Sequence, residues 1–435
     1  MIRRISSAVG LLLLTCGIPA LCAQAASNSN IFDDYPGDYR TPEKHTIGID
    51  HYITEDKHED RLIYSDYTTG VVRLLSATSS GEFSAGPEFD VPSPIEVKIR
   101  FVKGEQGSVT GLALQRRDES EIFAVRIPLA QEEVMFQSGN VTLAGTLLMP
   151  ERKGPHPAII LLHGSEPLTR YSFGPYPHFF TSLGFVVLIY DKRSAGASPG
   201  EYLDQATYYP DGFTADALAA FDYMRGRKDV NPVEIGFWGS SEGGMLTTQV
   251  ASRSKEVAFI VDSSGFMVPL WQQVLYHVEK GLRDAGFPKS DIDEAVAYNK
   301  EIIRVGRTGL GWKRLQHHQE EVHNKKWFVR STVSISSEEA ISWRWKHLLS
   351  FNPVPALTNL TCPVLGLYGA LDNSSPVSLS VANMRGALAK AGNKDYKLKV
   401  FPNANHALMV GNKNMAPGVF DTLSAWLLRT VHADE

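Results

Sequence analysis

Residues Gly239-Ser240-Ser241-Glu242-Gly243 constrain this chain more than any other stretch. A short apolar run, Glu234-Ile235-Gly236-Phe237-Trp238, leads into them, and Met245 to Ser254 reads as a helix behind them. A strand, a sharp turn and a helix, with Gly-x-Ser-x-Gly at the turn, form the pattern of a nucleophile elbow. The turn holds its central serine in a sparsely populated backbone conformation, at a cost of about 1–3 kcal/mol. Gly239 and Gly243 flank Ser241 because a Cβ at either place clashes across the turn. Ser240 is not centred between the glycines, so the spacing selects Ser241. The same five residues would also suit a small-residue turn packing a helix on a sheet. Partners in the right order separate the two readings.

A serine hydroxyl is a weak nucleophile at neutral pH and needs an adjacent base. The chain order expected after such an elbow is an acid, then a histidine. Cys362-Pro363-Val364-Leu365-Gly366-Leu367-Tyr368-Gly369 reads as a buried strand that runs into Ala370-Leu371-Asp372, with a turn at 373–376. Asp372 therefore falls just past a strand end. Tyr396 to Phe401 alternates polar and apolar residues as a strand does, and leads to His406 in the next loop. Read singly, Asp372 is a cap for the helix beginning near Pro376, and His406 is one of 13 histidines. Read together with Ser241, they complete a nucleophile, base and acid. Asp262, after the strand Val257-Ala258-Phe259-Ile260-Val261, is the rival acid. The Tyr-Gly-x-x-Asp arrangement favours Asp372.

An oxyanion site needs backbone N–H groups preset around developing negative charge. One is expected from Glu242, directly after the nucleophile. The other is expected from Ser165, in the loop after the strand Ala158-Ile159-Ile160-Leu161-Leu162, with Gly164 allowing close approach. His163 reads as a brace for that loop rather than as the base.

These motifs resemble the α/β-hydrolase superfamily, and more narrowly bacterial secreted esterases with a Ser-Glu-Gly-Gly elbow. The matches span about residues 134–430. They include Leu162-His163-Gly164-Ser165, Tyr190-Asp191-Lys192-Arg193, Trp238 to Gly244, Tyr368 to Asp372 and Asn405-His406. The chain departs from the pattern twice. Ser194 stands where relatives often have glycine after the arginine, and Ser240 where many have histidine before the nucleophile. The resemblance implies an α/β-hydrolase fold, a mostly parallel sheet flanked by helices. It implies a serine carboxylic-ester hydrolase for small-molecule esters. Ser241 would attack, His406 would move the proton, Asp372 would orient the imidazole, and the amides of Ser165 and Glu242 would hold the oxyanion. No metal or organic cofactor is implied. A prolyl-oligopeptidase-like peptidase or a thioesterase would share fold and triad. A catalytically silent binding protein is the reading from another class, and the intact triad speaks against it.

The chain has 435 residues, more than one domain usually holds, and 43% are hydrophobic. Its net charge of −5 gives no support to a nucleic-acid partner. Residues 1–25 read as a signal peptide: Arg3 and Arg4, the apolar run Val9 to Leu14, and Ala23-Gln24-Ala25 at the cleavage site. The run is too short to span a bilayer, so no stable span remains after processing. Cleavage near Ala26 would remove Cys16 and Cys22 and leave Cys362 alone, without a disulfide partner. Such a protein suits a bacterial periplasm or exterior. The oligomeric state is left open.

The organisation expected is a lead-in and small antiparallel β-domain over 26–130, then the hydrolase domain over 131–435. Residues 26–44 read as a loose lead-in. Val71 to Leu75, Ile95 to Phe101, Gly111 to Arg116 and Ile122 to Ile127 read as strands of the small domain. The charged run Thr54 to Arg61 reads as a solvated segment. A loop of about a hundred residues follows Asp262, too long to lack structure of its own. It reads as a helical cap over about 266–352, with helices near Leu270 to Ala285 and Asp291 to Val305. Five of the seven tryptophans fall in it, Trp271, Trp312, Trp327, Trp343 and Trp345, with one or two expected to line a pocket. His317, His318 and His323 lack the spacing of a metal site and read as a solvated face.

Overall fold

The computed structural model describes residues 30–54, 58–79, 81–152, 154–200, 209–331 and 335–431. The leader read in residues 1–25 lies outside the described residues.

The amino-terminal strands are β1 (Gly37–Arg40), β2 (Thr46–Ile53), β3 (Asp60–Asp66), β4 (Val71–Ser79), β5 (Glu82–Ala85), β6 (Val97–Lys103), β7 (Val109–Arg116) and β8 (Ile122–Ile127). They pair in the order β5-β6-β7-β8-β1-β2-β3-β4, and a further β4–β5 ladder closes the ring. Every neighbouring pair is antiparallel. The result is a closed barrel, which removes the unpaired edges of so small a sheet. On β6, Val97, Ile99 and Phe101 point inward while Lys98 and Arg100 face solvent. Tyr35, Tyr39, Leu62 and Leu112 join them in the barrel core.

One expectation needs correction here. Residues 30–44 are not merely a lead-in: Asn30–Asp34 is helical, and β1 pairs with both β2 and β8. In the charged run, His58, Glu59 and Asp60 are exposed, and Asp60 and Arg61 open β3. Arg61 donates to the Leu75 carbonyl across the ladder.

The second sheet contains β9 (Leu129–Ser138), β10 (Val141–Pro150), β11 (His156–Leu162), β12 (Val186–Tyr190), β13 (Val230–Ser240), β14 (Phe259–Ser263), β15 (Val364–Gly369) and β16 (Tyr396–Phe401). Its order is β16-β15-β14-β13-β11-β12-β10-β9. The pairs from β12 to β16 are parallel, and the β9–β10 hairpin joins antiparallel at the far edge. The inner strands are apolar throughout because both faces are covered. Helices Asp211–Arg225, Glu242–Arg253 and Val377–Lys390 contribute to the core on one face. Helices Tyr176–Ser182 and Val419–Val431 contribute on the other, together with Ile63, Val72 and Leu74 from the barrel. The barrel is thus seated directly on the sheet's helical layer.

Between β14 and β15 the chain forms helices Leu270–Asp284, Lys289–Thr308, Trp312–Val322, Lys326–Ser331 and Glu338–Arg344. They enclose a core of their own around Leu282, Tyr298, Leu315 and Trp327. The Trp327 indole N–H donates to Glu294 at 2.9 Å. A short hairpin of β17 (Met409–Val410) and β18 (Asn414–Met415) follows the last long strand, and β18 pairs with β4 of the barrel.

Candidate active site

The elbow forms where β13 ends and helix Glu242–Arg253 begins. Ser241 sits at that junction with φ 57° and ψ −118°, a conformation that a β-carbon makes costly. A Cβ on Gly239 would lie 2.2 Å from the Gly243 carbonyl oxygen, and one on Gly243 would lie 2.1 Å from the Leu162 oxygen. These two glycines are required by space, because helix and sheet approach too closely for any side chain. The Ser241 N–H donates to the Ser263 carbonyl at 2.8 Å, which anchors the turn to the neighbouring strand end.

Asp372 and His406 come together across 34 residues of chain. His406 Nδ1 lies 2.8 Å from Asp372 Oδ2. The other carboxylate oxygen accepts the N–H groups of Ser374 and Ser375 at 2.7 and 2.9 Å. Asp372 is fully buried, whereas His406 keeps 27% of its side-chain exposure. Asp262 is also buried, but its oxygens are occupied elsewhere. Tyr368 donates to one at 2.5 Å and the Gly265 N–H to the other at 2.8 Å. Burial pushes the Asp262 carboxyl up to about 6, against the pull of its Tyr368 hydrogen bond; His406 lies close enough to lower it slightly. Asp262 stands in register with Gly239 on the adjacent strand.

The loop after β11 passes against the nucleophile. A Cβ on Gly164 would lie 3.7 Å from the Ser241 Cβ. Ser165 follows on the exposed side. His163 is buried, with its ring 4.3 Å from that of Phe173 and Nε2 3.2 Å from the Thr169 carbonyl. Burial, reinforced by nearby Lys192, depresses its pKa to about 3, so it stays neutral.

Three consecutive side chains of the next loop each reach a different element. Asp191 takes a forked hydrogen bond from Arg170, at 3.1 and 2.9 Å. Lys192 reaches Glu242 at 2.7 Å and the Gly164 carbonyl at 2.9 Å. Arg193 makes a fork with Asp216 at 2.7 and 2.6 Å. Ser194, where relatives often carry glycine, has φ 69°, the left-handed region that glycine enters freely.

The cap closes over the acid loop through its first helix. Gln273 and Tyr276 of helix Leu270–Asp284 donate to the carbonyls of Ser374 and Asp372, at 2.9 and 2.7 Å. His277 lies beside them. Burial lowers its pKa, and the Asn373 backbone and the His406 imidazole both act on it. Sequence reasoning missed these three residues. Their spacing of three and four marks one helix face, but nothing in the sequence says which loop that face meets. Of the cap tryptophans, Trp327 is core packing and Trp343 is 40% exposed, its ring tilted against His347. Among the described residues no group of three or more His, Cys, Asp or Glu is disposed to hold a metal ion. No described helix is long and apolar enough to cross a membrane.

An eight-stranded, mostly parallel sheet with a serine on a strained strand-to-helix turn defines an α/β-hydrolase. More closely, the chain belongs to the family described as Serine aminopeptidase, S33, whose model matches residues 153–413. Esterase EstD of Thermotoga maritima is 23% identical over 356 residues, which cover 77% of each chain. A putative carboxymethylenebutenolidase of Methylorubrum extorquens is 31% identical over 147 residues, 31% of this chain and 46% of that protein. A solved Pyrococcus furiosus esterase resembles it at 18% identity with a TM-score of 0.45, covering 69% of this chain and 91% of that one.

Proposed function

We propose that the protein is an exported serine hydrolase of carboxylic esters that works through an acyl-enzyme on Ser241. Two observations carry this reading: the 2.8 Å contact of His406 with buried Asp372, and a serine held at φ 57° on a strand-to-helix turn. His406 takes the Ser241 proton and returns it to the leaving alcohol. Asp372 fixes the imidazole tautomer and stabilises the imidazolium. The N–H groups of Glu242 and Ser165 receive the oxyanion. The similarity to an esterase over most of both chains supports an ester as the substrate. The leader read in residues 1–25 supports export.

The family's description raises a peptidase as the second reading. An aminopeptidase needs a carboxylate to bind the peptide's ammonium group. Asp372, Asp262 and Glu242 already have partners, His406, Tyr368 and Lys192, so none of these three is placed for that task. The cap, latched onto the acid loop, supports small or short-chain acyl groups.

The test is a panel of p-nitrophenyl esters and aminoacyl p-nitroanilides. The mature protein should cleave acetyl and butyryl esters faster than long-chain ones, and the anilides hardly at all. Ser241→Ala should abolish the activity, while Ser240→Ala keeps at least about a tenth. Preference for the anilides, or for long acyl chains, contradicts the proposal.

A further inference from the structure

A buried ammonium group behind the proposed oxyanion site has no part in the triad. Lys192 is 3% exposed and Glu242 4%. Burying this pair is costly unless geometry and further hydrogen bonds compensate, so it is weak grounds for stability. Its placement gives it another use. The Lys192 Nζ donates to the Glu242 carboxylate at 2.7 Å and to the Gly164 carbonyl at 2.9 Å. These acceptors lie on the loop after β11 and at the start of helix Glu242–Arg253, separated by nearly eighty residues, the two places from which the oxyanion donors are expected. The Phe213 ring lies 4.2 Å from the ammonium group, and the Lys192 N–H is itself bonded to the Leu168 carbonyl.

The Gly164 carbonyl and the Ser165 N–H belong to one peptide unit. In a planar trans peptide the C=O and N–H point in opposite directions. A cation that fixes the carbonyl on one side therefore fixes the N–H on the other. The same cation polarises the peptide, making its N–H a stronger donor. At its second contact Lys192 holds the side chain of the residue whose own N–H is the other donor. One ammonium group thus sets the spacing and direction of both.

We propose that Lys192 is a positioning residue for the oxyanion site, clamping the Gly164–Ser165 peptide to Glu242 so that both amides are preset before the substrate arrives. The proposal rests on the serine-hydrolase reading above. It implies that the clamp matters where negative charge develops and little in the ground state, so kcat should move and KM should not.

The test compares wild type with Lys192→Met, Glu242→Gln and Glu242→Leu. It measures kcat and KM on p-nitrophenyl butyrate and Ki for an aryl trifluoromethyl ketone, whose serine adduct carries an oxyanion. Lys192→Met and Glu242→Leu should each lower kcat about 10- to 100-fold, below the loss of a whole oxyanion donor. KM should stay within about 3-fold, and the ketone's Ki should rise in step with the fall in kcat. Glu242→Gln, which keeps an acceptor oxygen for Lys192, should lose less than about 5-fold. A Lys192→Met enzyme with kcat within about twofold of wild type, or an unchanged ketone Ki, overturns the clamp. Should Lys192→Met fail to fold, the two Glu242 variants decide by the same measurements: equal losses overturn the proposal, while a large loss only in the leucine variant supports it. Ser241→Ala in the same series separates the two levels of argument. If it stays active, the serine reading itself fails. If it is inactive while both Lys192→Met and Glu242→Leu run normally, only the clamp fails.

Discussion

Two aspartates compete for one histidine at this site, and their hydrogen bonds decide between them. Asp372 has one oxygen on His406 and the other on two backbone N–H groups. Asp262 is spent on Tyr368 and Gly265. Asp372→Asn should therefore lower kcat about 10⁴-fold, as when the acid of a comparable triad is neutralised, whereas Asp262→Asn should lose less than about tenfold. Ester hydrolysis by the two variants checks this, and the reverse order would transfer the acid's role to Asp262. Ser241, Asp372 and His406 were legible because each sits where a strand ends, and a strand end can be read from a run of apolar residues. Lys192 stands in the sequence only as part of a motif, between two other charged residues, Asp191 and Arg193. A charged residue whose partners lie on another loop and at a helix start leaves no local pattern.

At the scale of elements, the elbow, the parallel strands and the cap helices follow from hydrophobic periodicity, and the first two cap helices begin and end within about three residues of expectation. What the periodicity could not give is docking. Helix Leu270–Asp284 presents Gln273 and Tyr276 to the acid loop, so the cap and the acid are mechanically one piece. Tyr276→Phe removes a hydrogen bond worth about 0.5–1.5 kcal/mol. The expected result is a kcat lowered about 2- to 10-fold with the chain-length preference relaxed toward longer acyl groups. Steady-state kinetics over an acyl series measures both, and a variant indistinguishable from wild type would show that the latch is ornamental. Four barrel strands could be read from short runs between turn residues, with clean alternation on β6 alone. β1, β2, β3 and β5 could not. In Thr46–Ile53 the residues from Ile47 to Asp50 are all buried, because one face of the strand fills the barrel while the other meets the hydrolase layer.

On the scale of the whole molecule, two of the junctions between the barrel and the hydrolase carry polar contacts of note. One is the hairpin beyond His406. Arg73 of the barrel donates to the Gly86 carbonyl and reaches the Lys413 carbonyl and Asn414 Oδ1, while β18 pairs with β4. The barrel thereby braces the segment that leads away from the histidine. The other junction is a buried polar seam in which the His178 N–H donates to Asp50 at 3.3 Å and His178 Nδ1 lies 4.0 Å from Asp38. Burial raises both carboxyls well above their ordinary range, with Asp50 adding to the shift of Asp38, and depresses His178 to about 3. A carboxyl whose folded pKa is raised contributes stability that is present below its unfolded pKa and lost as pH rises through the folded one. Asp50→Asn should therefore leave Tm nearly unchanged at pH 4 and raise it at pH 8. Thermal unfolding at the two pH values checks the sign, and an equal shift at both removes Asp50 from the pH dependence. The proposed function turns on one hydroxyl, and the most direct measurement asks whether that hydroxyl reacts. The mature protein is treated with a fluorophosphonate and the labelled peptide is mapped by mass spectrometry. A single adduct on Ser241, matched by complete loss of ester hydrolysis and absent from Ser241→Ala, is the result the account predicts. An adduct on another residue, or hydrolysis that continues with Ser241 fully labelled, would contradict it.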